Sequence, residues 1–60
     1  MAVQIGNTIL FEKDRYCYEG TVLKTYDNSV LVKVEKGNMD KLNLPNNITI
    51  VNHKHYKILN

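Results

Sequence analysis

Cysteine occurs once in this chain, at Cys17, so no disulfide can form within it. A lone thiol outside any disulfide framework fits a reducing compartment. Proline also occurs once, at Pro45, and tryptophan is absent. No repeat, low-complexity tract or linker interrupts the 60 residues. No apolar run approaches the roughly 18 residues of a membrane span, and the opening MAVQIGNTILF lacks the charged and continuously apolar regions of a secretory signal. These absences lead us to expect a cytoplasmic, monomeric protein without a membrane partner. No charge of one sign dominates either. Eight Lys and Arg interleave with six Asp and Glu, for a formal charge of +2, which permits nucleic-acid binding without arguing for it.

What is present is enough apolar residue, 43%, for a folded domain rather than a disordered tail. Residues 1–60 make a single domain, and a domain of this size buries only roughly 60% of the surface its unfolded chain exposes. With neither disulfide nor metal to staple it, its stability must come from regular sheet closure.

The stretch Gly20 to Val34 carries the clearest pattern. Val22, Leu23, Thr25 and Tyr26 favour a strand, Asp27-Asn28-Ser29 supplies side chains that bond their own backbone, and Val30, Val32 and Val34 then alternate with Leu31, Lys33 and Glu35. The reading is a hairpin whose valines face inward. Before it, Gly6-Asn7 signals a turn and Thr8 to Phe11 a first strand, followed by a charged, aromatic first loop, EKDRYCY, with strand character at Tyr16 to Tyr18. After it, Lys36-Gly37-Asn38 ends the strand, and a structured loop up to Pro45 places Leu42 and Leu44 over one end of the core. Ile48 to Val51 makes a fourth strand, Asn52-His53-Lys54-His55 a tight turn, and Tyr56 to Leu59 a closing strand. The expected core is Ile9, Phe11, Val22, Val30, Val32, Val34, Ile50 and Ile58.

Five short strands without a convincing helix predict an all-β barrel or paired sheets. The order of the pieces resembles the SH3-like barrels, and within them the KOW and Tudor-like modules. The resemblance rests on Ile5-Gly6-Asn7-Thr8-Ile9, Gly20-Thr21-Val22 and Asn28-Ser29-Val30-Leu31-Val32. More closely, the whole chain looks like the short bacterial YkvS-like family, a domain of unknown function, on Gly20-x-Val22, Asn28-Ser29-Val30 and Val51-Asn52-His53-Lys54-x-Tyr56-Lys57-Ile58. That likeness implies a small five-stranded SH3-like barrel with a long first loop, and RNA or ribosomal components as partners. Where KOW motifs carry a further glycine in the first loop, this chain has Arg15, Tyr16, Cys17 and Tyr18.

The residues themselves make the first loop the leading binding candidate. Lys13 and Arg15 offer phosphate contacts, while Tyr16 and Tyr18 offer faces for unpaired bases or for a peptide; Lys24 extends the cationic set. The competing account packs Tyr16 or Tyr18 over the barrel end and leaves the charges solvated. A further strip of Lys24, Lys33, Lys54 and Lys57 is scattered over different strands. Cys17, His53 and His55 are too few for a structural zinc site, and Cys17 has no visible oxyanion motif to serve it as a nucleophile. His53 is expected to bond the backbone of its turn instead, with Asn52 holding that turn by its side chain. Phe11, Tyr16, Tyr18 and Tyr26 could form an aromatic cage only if they converge. The expected function is non-enzymatic and without cofactor or metal: weak RNA or ribosome contact through Lys13, Arg15, Tyr16, Tyr18 and Lys24. The alternative is a protein-interaction module that binds a peptide, or a second copy, by the same tyrosines or a free sheet edge.

Overall fold

The computed structural model describes residues 2–37 and 47–60. It is all-β: β1 (Thr8–Lys13), β2 (Tyr16–Thr25), β3 (Ser29–Lys36), β4 (Ile48–Asn52) and β5 (Tyr56–Ile58) form one antiparallel sheet in the order β4-β3-β2-β1-β5. The loop carrying Leu42 and Leu44 lies outside the described residues. The turn anticipated at Gly6-Asn7 is present: the Asn7 amide donates to the Gln4 carbonyl at 3.0 Å, and the Gly6 amide then donates to Val22 at 2.9 Å. That bond lays the N-terminal segment against β2.

Strand alternation decides what is buried. In β3, Val30, Val32 and Val34 are at most 2% exposed, while Lys33 and Glu35 point to solvent, as their period-2 spacing predicts. Ile9, Phe11 and Val22 join them as expected. Two expected core residues do not. Ile50 is 61% exposed because the register opposes Val51 to Val30, which turns Val51 inward and Ile50 outward beside Leu31. Ile58 is 41% exposed because β5 is short and lies at the sheet's edge. Tyr18 takes a core place that the sequence reading did not give it, at 1% exposure. It sits directly opposite Phe11, their rings stacked at 5.7 Å between centroids. Such a pair contributes about 0.5–1.5 kcal/mol beyond its buried area.

The anticipated long first loop is also corrected. β1 and β2 run on until Lys13 faces Tyr16, leaving only Asp14 and Arg15 as the turn, with φ of 52° and 73°. Two consecutive positive φ values match the type I′ hairpin, whose twist suits antiparallel strands. Asp tolerates this region; Arg does so at a cost.

Connectivity bends the sheet. β4 and β5 occupy its two outer positions, yet only the His53–His55 3-10 turn joins them. In a flat sheet, outer strands spaced at about 4.8 Å would lie roughly 19 Å apart. A 3-10 turn rising about 2 Å per residue covers roughly 8 Å over the same connection. The sheet therefore curls around the valines, though β4 and β5 do not themselves pair and it stays open. β2 absorbs the bend: its register against β3 slips between Glu19 and Gly20 and again between Val22 and Lys24. Gly20 allows the close approach there, since a Cβ would lie 2.7 Å from the Lys33 carbonyl oxygen and overlap Val32.

Candidate functional site

The five residues singled out from the sequence are separated by the fold. Lys13, Arg15 and Tyr16 are exposed together at the β1–β2 hairpin. Tyr18 is locked in the core, so its face is unavailable to a ligand. Burial first, then the Asp14 carboxylate and Tyr16, push its hydroxyl above the ordinary tyrosine value. Lys24 lies eight residues beyond Tyr16 along β2, roughly 26 Å of extended strand, and faces outward opposite Leu31. The aromatic set Phe11, Tyr16, Tyr18 and Tyr26 does not converge, because Phe11 and Tyr18 are buried while Tyr26 follows the far end of β2.

The fold brings other cations to the hairpin. β5 pairs with β1 so that Tyr56 faces Phe11, and the turn preceding β5 then runs beside the end of β1. The result is an open cleft of about 340 Å³, walled by Glu12 and Cys17 of the hairpin and by Lys54, His55, Tyr56 and Lys57. Glu12 and Cys17 are themselves opposed in register, one step from Lys13 and Tyr16. This end of the molecule holds Lys13, Arg15, Lys54 and Lys57 against Glu12 and Asp14. Glu19 borders this end too, since it opposes Leu10, a wall residue of the cleft, from one side as Lys57 does from the other. The spacing of Lys54 and Lys57 could not reveal this grouping, since it depends on the long-range pairing of β5 with β1.

A second, neutral groove of about 640 Å³ lies beside the first. Val3, Thr25, Tyr26, His53, Tyr56 and Ile58 line it, and Tyr56 is common to both walls. Its framework is a hydrogen-bonded relay. The His53 amide donates to the Asn28 carbonyl at 3.1 Å, and His53 Nε2 lies 2.8 Å from the Tyr26 carbonyl oxygen. A carbonyl only accepts, so Nε2 carries the hydrogen, and in the neutral ring Nδ1 accepts from the Tyr56 hydroxyl at 2.7 Å. Asn52 Oδ1 accepts from the Lys54 amide at 2.8 Å, which caps the 3-10 turn. The asparagine brace is as anticipated, whereas His53 bonds the backbone of Tyr26, 27 residues away, rather than that of its own turn. Burial raises the Tyr56 hydroxyl above its ordinary value.

His53 has both ring nitrogens engaged, while Cys17 and His55 line the other cleft, so the three groups weighed as metal ligands are divided. Among the described residues no three His, Cys, Asp or Glu side chains gather as a metal cluster. No helix among them is long and apolar enough to cross a membrane. Over residues 2–59 the chain matches, and belongs to, the family described as an uncharacterised protein conserved in bacteria (DUF2187). No curated protein and no solved structure matches it.

Proposed function

We propose that this member of the family is a non-enzymatic binding module that makes weak, backbone-directed contact with RNA through its basic end. One observation carries the reading: Lys54 and Lys57 wall one cleft, and the β1–β2 hairpin that forms its other wall ends in the exposed Lys13 and Arg15. Cations gathered on one surface are the electrostatic footprint of phosphate binding. Tyr16, exposed on the same hairpin, adds a ring that unpaired bases stack on. Arg15 supplies a further argument. An arginine held at φ 73° is strained where glycine would be relaxed, and strain of this kind concentrates at functional positions. Tyr18 and Lys24 drop out of the proposed surface; Lys54, His55 and Lys57 enter it.

In the same reading the curled sheet is an SH3-like barrel. Its support is the strand order, with β5 beside β1, and the short 3-10 connection that draws the outer strands together. The tight Asp14-Arg15 turn departs from the long first loop of KOW and Tudor-like modules.

The test is fluorescence anisotropy of a labelled single-stranded RNA at about 50 and 200 mM salt, for the native chain and for the double variant Lys54→Glu, Lys57→Glu. Three or four phosphate contacts predict an affinity loss of roughly twentyfold to fiftyfold across that range. The double variant, with both substitutions on exposed side chains, should bind far more weakly and with a shallower salt slope. A salt-independent affinity, or a variant that binds as well as the native chain, would discard the reading. Alkylation of the exposed Cys17 gives an independent readout: RNA seated in the cleft should slow it.

A further inference from the structure

The neutral groove beside the basic cleft calls for its own explanation. Among the described residues its wall holds no carboxylate, lysine or arginine, and its volume falls within the roughly 300–1,000 Å³ of small-ligand sites. Tyr26 stands 46% exposed on one side and Tyr56 half-buried on the other. Tyr56 is tied to His53, and His53 to the Tyr26 backbone, so one aromatic wall and the main chain that carries the other are held before any ligand arrives. A site already in its bound shape loses less entropy on binding.

Its occupant must also account for the neighbouring cleft, because Tyr56 belongs to both. On one side of that ring lies an uncharged aromatic groove; on the other lie Lys54, His55 and Lys57. An uncharged flat group joined to an anionic group matches this division. A nucleotide of a single strand has both, since its base presents a π-face and its phosphate a negative charge, whereas a duplex hides the face of each base within the stack. An apolar peptide would fill the groove but offer nothing to the two lysines of the cleft, which face a single carboxylate, Glu12, in its wall.

We infer that the Tyr26–His53–Tyr56 groove receives an unpaired nucleobase of the same RNA strand whose phosphate rests on Lys54 and Lys57. This inference rests on the RNA-binding reading above and adds to it a base site in the groove, apart from the exposed ring of Tyr16. The chain then holds its ligand in two ways: charge on the cleft supplies affinity for any backbone, and stacking in the groove selects single strands over duplexes.

The experiment compares two RNA oligomers of equal length and charge, one carrying its bases and one abasic, against the native chain and against Tyr26→Ala and Tyr26→Phe. The exposure of Tyr26 keeps both substitutions clear of the core, and circular dichroism verifies the fold. The base-bearing strand should bind on the order of tenfold more tightly than the abasic one, the effect of about one stacked base. Tyr26→Ala should remove most of the base-bearing strand's advantage, leaving the share of Tyr16, and Tyr26→Phe should keep the advantage because it keeps the ring. Equal affinities for the two strands, or an advantage that Tyr26→Ala leaves undiminished, would overturn the groove as a base site while phosphate binding stands. Binding of neither strand would overturn both.

Discussion

Replacing Arg15 with glycine should make the protein more stable and a poorer binder at once. Arg15 occupies the second position of the type I′ turn at φ 73°, where an L-residue with a Cβ costs about 1–2 kcal/mol. Glycine removes that cost, but its freer unfolded chain returns about 0.5–1 kcal/mol of it. The net expectation is a gain of about 0.5–1 kcal/mol. In a domain of this length, about 1 kcal/mol moves the Tm by roughly 4–8 °C, so the shift is within reach of thermal unfolding by circular dichroism. The same substitution deletes one cation from the hairpin. If Arg15 neutralises a phosphate, the slope of log affinity against log salt should become shallower by about 0.7 for a single-stranded RNA. Arg15→Lys separates the two effects: it keeps the charge and the strain, so stability should stay unchanged while most affinity remains. A destabilised Arg15→Gly would contradict the strain argument. An unchanged salt slope would remove Arg15 from the interface.

Val32→Asp buries an unpaired charge at a site with no exposure and should leave the chain unfolded at 25 °C, whereas Lys33→Asp should change stability by no more than about 0.5 kcal/mol in denaturant titration. Equal effects would reverse the assigned strand faces. Gly37→Ala should destabilise by about 1–3 kcal/mol, because Gly37 has φ 133° and a Cβ there would overlap the Tyr18 ring; a neutral outcome would show that Tyr18 is less firmly enclosed. Alkaline unfolding follows from the two raised tyrosines. The folded state holds the Tyr18 and Tyr56 protons more tightly than the unfolded state, so stability is complete below pH 10 and declines as pH rises from there through the folded values. Denaturant midpoints measured at pH 8 and about pH 11 should fall, and the fall should be smaller in Tyr56→Phe.

What the sequence made legible was local. The Val30, Val32 and Val34 alternation needs no partner to be recognised, and Asn52 acts within two residues of itself. Legibility ended where pairing between distant segments decides. Tyr18 sits in a segment whose charges suggested a loop, and its place inside follows from facing Phe11 across the hairpin. The Asp14-Arg15 turn has neither the glycine nor the asparagine that usually marks a two-residue hairpin, so its tightness had no sequence signal. Ile50 and Val51 are equally apolar, and only the register against β3 chooses between them. Lys54 and Lys57 lie some 40 residues from Lys13 and Arg15 in sequence, and the β1–β5 pairing alone unites them. The basic surface is accordingly a property of topology, and the aromatic groove beside it likewise depends on His53 reaching the carbonyl of Tyr26.

The most direct test of RNA binding at this end is an amide chemical-shift titration of the labelled protein with a mixed single-stranded RNA at low and moderate salt. The account predicts shifts at Lys13–Cys17 and Lys54–Lys57, with Tyr26 and His53 joining them, all weakening as salt rises. Absence of shifts at both salts, or shifts confined to the outward face around Leu31 and Ile50, would contradict it.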